Sequence, residues 1–379
     1  MTEQKLDWVQ ALRGVAVLLV VLTHGRYFLA GTPGEPLAQQ LFFPGAMGVD
    51  LFFLISGFIM VYTTRHVSGA RAAALFAVKR VARIWPAYIV VTLLWVFIGD
   101  SGWDFFRRPE RVHALVRSLT FRPVDPAQAP FFGLVFPLGW TLAFEMYFYV
   151  VFGVCMLAGR LRWFALASWM VLTLVLLPAL HGGPTLNVSQ QLDFQRSYLH
   201  LVSNPIIYEF LAGVLIGLLY LAPRVRFPSV AVAWQAVVCS IGFVLWQGWS
   251  GVGGFHGPAG WGWPLALMLA SLALASKSVT LTAPRWLVWV GTVSYSMYLT
   301  HYLGQVWLTG WLERHGLHSR SWNEVFLALL LAIPLASLSH ALLERGLGEW
   351  VRRQLLRLLP VATPPAEVIK MAKVASSSV

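Results

Sequence analysis

"RGVAVLLVVLTH", residues 13–24, places ten residues that are apolar or small, Thr23 excepted, between the guanidinium of Arg13 and the imidazole of His24. A helix rises about 1.5 Å and turns about 100° per residue, so the steps from Arg13 to His24 bring the chain back to within roughly 20° of the same face. The two groups then share one side of a helix, on the order of 16 Å apart along its axis. With its flanks the run is long enough to cross a bilayer as a helix. Ionisable groups in such a span are costly and usually face a partner or a watery cavity.

The rest of the chain repeats the pattern. Its 379 residues are 58% hydrophobic and only 12% charged, too little charge to cover a soluble surface. Apolar runs of about 20 residues recur throughout. The 18 Trp and 11 Tyr suit side chains that settle at membrane interfaces. An all-α, polytopic integral membrane protein is expected, with ten spans near 9–29, 46–64, 84–100, 138–157, 163–180, 204–221, 230–248, 262–276, 286–309 and 324–343. Residues 1–345 are expected to form the transmembrane domain and 346–379 a cytoplasmic tail, disordered after Leu359. The opening "MTEQKLDW" carries acids and precedes no small-residue cleavage site, so it does not read as a cleavable signal.

The net charge of +12 raises the question of nucleic acid, but the basic residues lie mostly between apolar runs, where they act as topology determinants. No nucleic-acid partner is expected. Cys155 and Cys239 both fall inside apolar runs and read as core fillers, so neither a disulfide framework nor a metal cluster is expected. With both termini in the cytoplasm, most of the Lys and Arg outside the spans also face the cytoplasm. The long segment 101–133, with Arg107, Arg108, Arg111, Arg117 and Arg122, runs against this bias and reads as an outer lid or acceptor surface.

That orientation sorts the polar residues into two layers. Arg13 lies near the cytoplasmic end with Lys79, Arg80 and Arg83 of "KRVARIWPAY", where Pro86 reads as the beginning of a new helix. His24, Asp50, Glu145, Glu209 and His301 are expected together in the outer third. A long anionic donor entering from the cytoplasm and reacting deep in the membrane would suit both layers. Each residue also has a plainer reading. The arginines can snorkel, His24 and Glu145 can tie helices together, and Asp50 can cap its helix. His301 and Glu209 can serve packing, and Ser56 reads as a small helix-contact residue.

Together "ALRGVAVLLVVLTH", "GVDLFFLISGFIM", "KRVARIWPAY", "PLGWTLAFEMYFYVVF" and "SYSMYLTHY" resemble the acyltransferase-3 family of membrane acyltransferases. The resemblance implies glycan O-acylation, commonly O-acetylation from acetyl-CoA, in the bacterial inner membrane. It implies an arginine-x10-histidine motif, matched by Arg13 and His24, an R-x-x-R pair for coenzyme A, matched by Arg80 and Arg83, and an acid in span four, matched by Glu145. Two adjacent acids are frequent at that last place, whereas Met146 follows Glu145 here. In "LLERGLGEW" Gly346 stands where relatives often carry proline. Many relatives also append a hydrolase-like domain, for which this sequence offers no counterpart.

Acyl transfer from a thioester to a sugar hydroxyl needs a base, which His24 can supply, and an acid such as Glu145 or Asp50 to orient it. Arg13, Arg80 and Arg83 would grip the donor's phosphates. The expected activity is an acetyl-CoA-dependent O-acyltransferase acting on a glycan or lipid-linked glycan among membrane lipids. The alternatives are a secondary transporter or a structural partner in a glycan export complex.

Overall fold

In the computed structural model, residues 6–359 are described, and among them the chain is helical with no strand. The expected disorder after Leu359 concerns residues outside that range. Each of the ten expected spans falls on helix. These are α1 (Asp7–Gly25), α2 (Gly48–Thr64), α3 (Ala70–Ile98), α4 (Gly139–Leu157), α5 (Gly159–Ala179), α6 (Ile207–Leu221), α7 (Val230–Ser250), α8 (Trp263–Ala275), α9 (Ser294–Arg314) and α10 (Trp322–Ser339). Among the described residues, eight helical segments are long and apolar enough to cross a bilayer. The remaining two are α6, apolar but 15 residues long, and α9, which has the length but carries Ser294, Ser296, Thr300, His301 and Gln305 among its buried residues. Those polar groups face the protein interior, where partners replace water.

Small residues bring the central helices together, because lipid gives no hydrophobic drive for helices to associate. One such close approach joins α2 and α6. A Cβ on Gly57 would lie 2.1 Å from the Phe210 carbonyl oxygen, and one on Gly213 would lie 2.0 Å from that of Leu54. Only glycine fits at either place.

Two features differ from the sequence expectation and set the depth of the site. Pro86 does not begin a helix; α3 runs through it. Proline removes one backbone donor, which frees the Ala82 carbonyl, yet the packing of Ile84, Ala87 and Tyr88 in the core holds the helix together. Arg80 and Arg83 therefore project from the middle of one continuous helix. The second feature is the segment before α4. Phe132 and Phe136 are fully buried, and the Val124 and Asp125 amides both donate to the Phe132 carbonyl. Helix α4 thus starts among buried residues, with Gly139 against the Tyr88 hydroxyl.

The arginines of segment 101–133 are partly engaged within the protein. Arg107 pairs with Asp104 at 2.8 Å, Arg111 with Asp100 at 2.6 Å, and Arg117 donates to the Ser197 hydroxyl at 2.7 Å. Cys155 is buried as expected, whereas Cys239 is exposed on α7, the side of a helix that packs little against the rest. Beyond α10 the chain stays helical through a π-type turn, His340–Gly348, into α11 (Glu349–Arg357). Residues 346–357 therefore continue the last helix.

Candidate active site

Two chambers meet inside the bundle. The first, an arginine chamber, is lined by Arg13, Arg80, Arg83 and Glu145, with Ser56, Tyr149 and Ser294. Arg13 on α1 donates to the Ser294 hydroxyl on α9 at 3.0 Å. The Arg80 guanidinium lies over the Tyr149 ring, 4.8 Å from its centroid, and over Phe76. Glu145 accepts from the Ser56 hydroxyl at 3.2 Å and from the Tyr149 hydroxyl. Three guanidiniums face one carboxylate here, so the chamber carries surplus positive charge and suits a polyanion. Lys79, the third base of "KRVAR", points away and is exposed.

The second chamber encloses about 360 Å³ and is lined by His24, Arg26, Tyr27, Phe43, Trp140 and His256, among others. That size is in the usual range for small-molecule sites. Nδ1 of His24 lies 2.8 Å from the Val20 carbonyl oxygen. A carbonyl only accepts, so Nδ1 carries the proton and Nε2 holds a bare lone pair. His301 is fixed the same way, its Nδ1 lying 3.0 Å from the Met297 carbonyl oxygen. Nε2 of His301 is then a second acceptor for the His24 proton, at 3.3 Å. Among the described residues nothing bonds Nε2 of His24.

Asp50 begins α2 with a fully buried carboxylate. Its Oδ2 accepts from Nδ1 of His256 at 2.7 Å and its Oδ1 from the Gly257 amide at 2.8 Å. Gly257 has φ +103, a conformation L side chains rarely adopt, and a Cβ there would meet Val188 at 2.4 Å. The loop that presents His256 therefore requires this glycine. Glu209 is buried directly beside Asp50 and the Gly257 backbone.

The expected outer cluster is thus divided. His24 lines the second chamber, with His301 bonded to it and Asp50 bonded to the lining residue His256, whereas Glu145 lines the arginine chamber. The reason is the buried start of α4, and α2 confirms the difference. Ser56, which bonds Glu145, lies six residues beyond Asp50, about 9 Å further along the helix. Neither Glu145 nor Asp50 bonds His24 among the described residues; its orienting partners are the Val20 carbonyl and His301. His256 escaped the sequence reading because it sits in a loop, "GGFHGPAG", with no helical period to place it. A lone imidazole amid glycines was the one available signal.

Val49 and Tyr298 line both chambers and form the partition between them. The Tyr298 hydroxyl is hydrogen-bonded to Thr141 at 2.7 Å, which fixes the ring in place.

A helical membrane protein thus sets a cationic chamber against an imidazole chamber, with Val49 and Tyr298 as their shared wall. Residues 6–341 match the family described as "Acyltransferase domain". The chain belongs to this acyltransferase family, the one its five sequence motifs resemble. It is 32% identical over 266 residues to the exopolysaccharide production protein ExoZ of Rhizobium meliloti (strain 1021), covering 68% of this chain and 75% of that one. It is 26% identical over 361 residues to Nodulation protein 10 of Rhizobium leguminosarum bv. viciae, covering 88% and 91% respectively. No solved structure matches.

Proposed function

We propose that this protein transfers a short acyl group, most simply acetyl, from acyl-CoA on the cytoplasmic side of a bacterial inner membrane to a hydroxyl of a cell-surface or exported glycan. The observation that carries this reading is the junction at Val49 and Tyr298 of a chamber bearing Arg13, Arg80 and Arg83 with one bearing His24. The arginines suit the phosphates of coenzyme A, and the narrow pantetheine arm suits delivery of the thioester to the partition. Similarity to a protein named for exopolysaccharide production supports a polysaccharide acceptor.

In this mechanism the acceptor oxygen attacks the thioester carbonyl and forms the new C–O bond. Its proton passes to Nε2 of His24, whose Nδ1–H is already held by Val20 and His301. The C–S bond breaks, and the proton returns from His24 to the departing sulfur, releasing the free thiol. Glu145, bonded to Ser56 and Tyr149, balances the arginines and keeps the chamber from binding anions irreversibly.

The test is direct. Purified protein in nanodiscs should bind acetyl-CoA and hydrolyse it slowly without acceptor. Protein that neither binds nor turns over acetyl-CoA or longer acyl-CoAs in several lipid compositions overturns the reading, and uptake of a solute into sealed proteoliposomes of the same protein would mark a transporter instead.

A further inference from the structure

We propose that His256, held by Asp50, is the anchor of the acceptor subsite: its Nε2 accepts a hydrogen bond from a pyranose hydroxyl next to the one that is acylated. This rests on the acyltransferase reading above, and it assigns a positioning role to a residue in no motif of the chain.

The argument begins with Asp50. A buried carboxylate without a counter-ion is expensive, and this one spends both oxygens on a single loop, accepting from Nδ1 of His256 and from the Gly257 amide. A carboxylate only accepts, so the His256 proton sits on Nδ1 and the lone pair on Nε2. The ring keeps 17% of its side-chain surface exposed and lines the second chamber. No described residue bonds Nε2. The loop also requires glycine at position 257, so the backbone is committed to presenting this imidazole.

The surroundings match a sugar. The His256 ring stands edge-on between Trp140 and Trp261, at 5.5 and 5.2 Å between centroids. Nearer the mouth, Phe131 meets Trp140 and Phe43 meets Trp261, and both phenylalanines are exposed. A pyranose has apolar C–H faces and a rim of hydroxyls. Phe131 and Phe43 offer exposed faces for the first, and the bare imidazole nitrogen between the two tryptophans behind them receives one of the second. The chamber's volume of about 360 Å³ leaves room for such a ring. His24 occupies the same chamber with its own free Nε2, so one hydroxyl can meet the base while its neighbour meets the anchor.

The experiment uses the full chain in nanodiscs, with methyl β-glucopyranoside, methyl β-galactopyranoside and short oligomers of glucose and galactose as probes. Binding is read by saturation-transfer NMR on the sugars, and transfer from acetyl-CoA by mass spectrometry. The parent protein should bind at least one probe. His256→Ala should weaken that binding and raise the acceptor KM about tenfold, with a smaller change in kcat, as one lost hydrogen bond predicts. His256→Gln offers an accepting oxygen and should recover part of the loss, which a merely structural role would not allow. Should His256→Ala fail to insert, His256→Gln and Asp50→Asn carry the same test, with smaller KM increases expected. Absence of binding by every probe overturns the subsite, as does an unchanged acceptor KM in the variants. A fall in kcat at constant KM also overturns it, because His256 would then move the proton itself. Sugar binding without acetyl-CoA binding would instead count against the donor reading alone.

Discussion

Nε2 of His301 lies 3.3 Å from Nδ1 of His24, and backbone carbonyls one helical turn back hold the Nδ1 proton of each ring. The pair therefore has a defined direction. His301 receives, His24 donates, and the second nitrogen of His24 is left free for chemistry. A carboxylate in the place of His301 would bind the proton more tightly; a neutral imidazole orients the ring without adding charge to the interior.

His24→Ala should leave insertion and acetyl-CoA affinity near parental values and reduce transfer by about 10²–10⁴-fold, the usual share of a positioned base. Single-turnover rates beside donor binding, in one nanodisc preparation, decide the matter. Normal turnover would make His24 a tie between helices.

His301→Phe keeps the ring's bulk and removes the acceptor. Since the Val20 carbonyl still holds the His24 proton, the loss in kcat should be about tenfold or less, well short of His24→Ala. An equal loss in both variants would mean that the imidazoles relay the proton together.

Replacing Arg80 and Arg83 together by Ala should weaken acetyl-CoA binding by several kcal/mol at most, each charge-assisted contact being worth roughly 1.5–3 kcal/mol. Saturating donor should restore part of the rate. Calorimetric titration of the donor checks this, and unchanged affinity would return both arginines to membrane anchoring.

Gly213→Val has no room for its side chain beside the Leu54 carbonyl and should cost stability by the roughly 1–3 kcal/mol or more typical of an overpacked interior, lowering the thermal midpoint sharply. The contrasting variant Gly242→Val, at a position with nothing within 4 Å of its Cβ, should melt near the parent. Equal melting of the two would show that α2 and α6 do not meet as described.

Reporter fusions in the connections at Ser68 and Ala158 should read cytoplasmic, and a fusion at Gly183 external, following the distribution of basic residues. An external signal at Ser68 would reverse the sides from which donor and acceptor enter.

The spans were legible because lipid demands long apolar helices, and helical geometry then fixes the common face of Arg13 and His24 without further information. Depth was less legible. Glu145 was misplaced because its helix begins inside the protein, after a segment whose Phe132 and Phe136 are buried by contacts no local pattern reveals. Pro86 was misread for a related reason, since neighbouring packing keeps α3 whole where local propensity would end it. His256 reaches Asp50 across 206 positions of sequence, through a loop with neither helical nor strand period. Such a contact is settled only by the assembled bundle.

The partition at Val49 and Tyr298 also bears on the cell's economy. Under the proposed reading, a nucleotide thioester made in one compartment serves a polymer built in another, yet the nucleotide never leaves home. Only the acyl carbons cross, and the spent carrier withdraws by the door it came through, ready to be recharged by the metabolism that first loaded it.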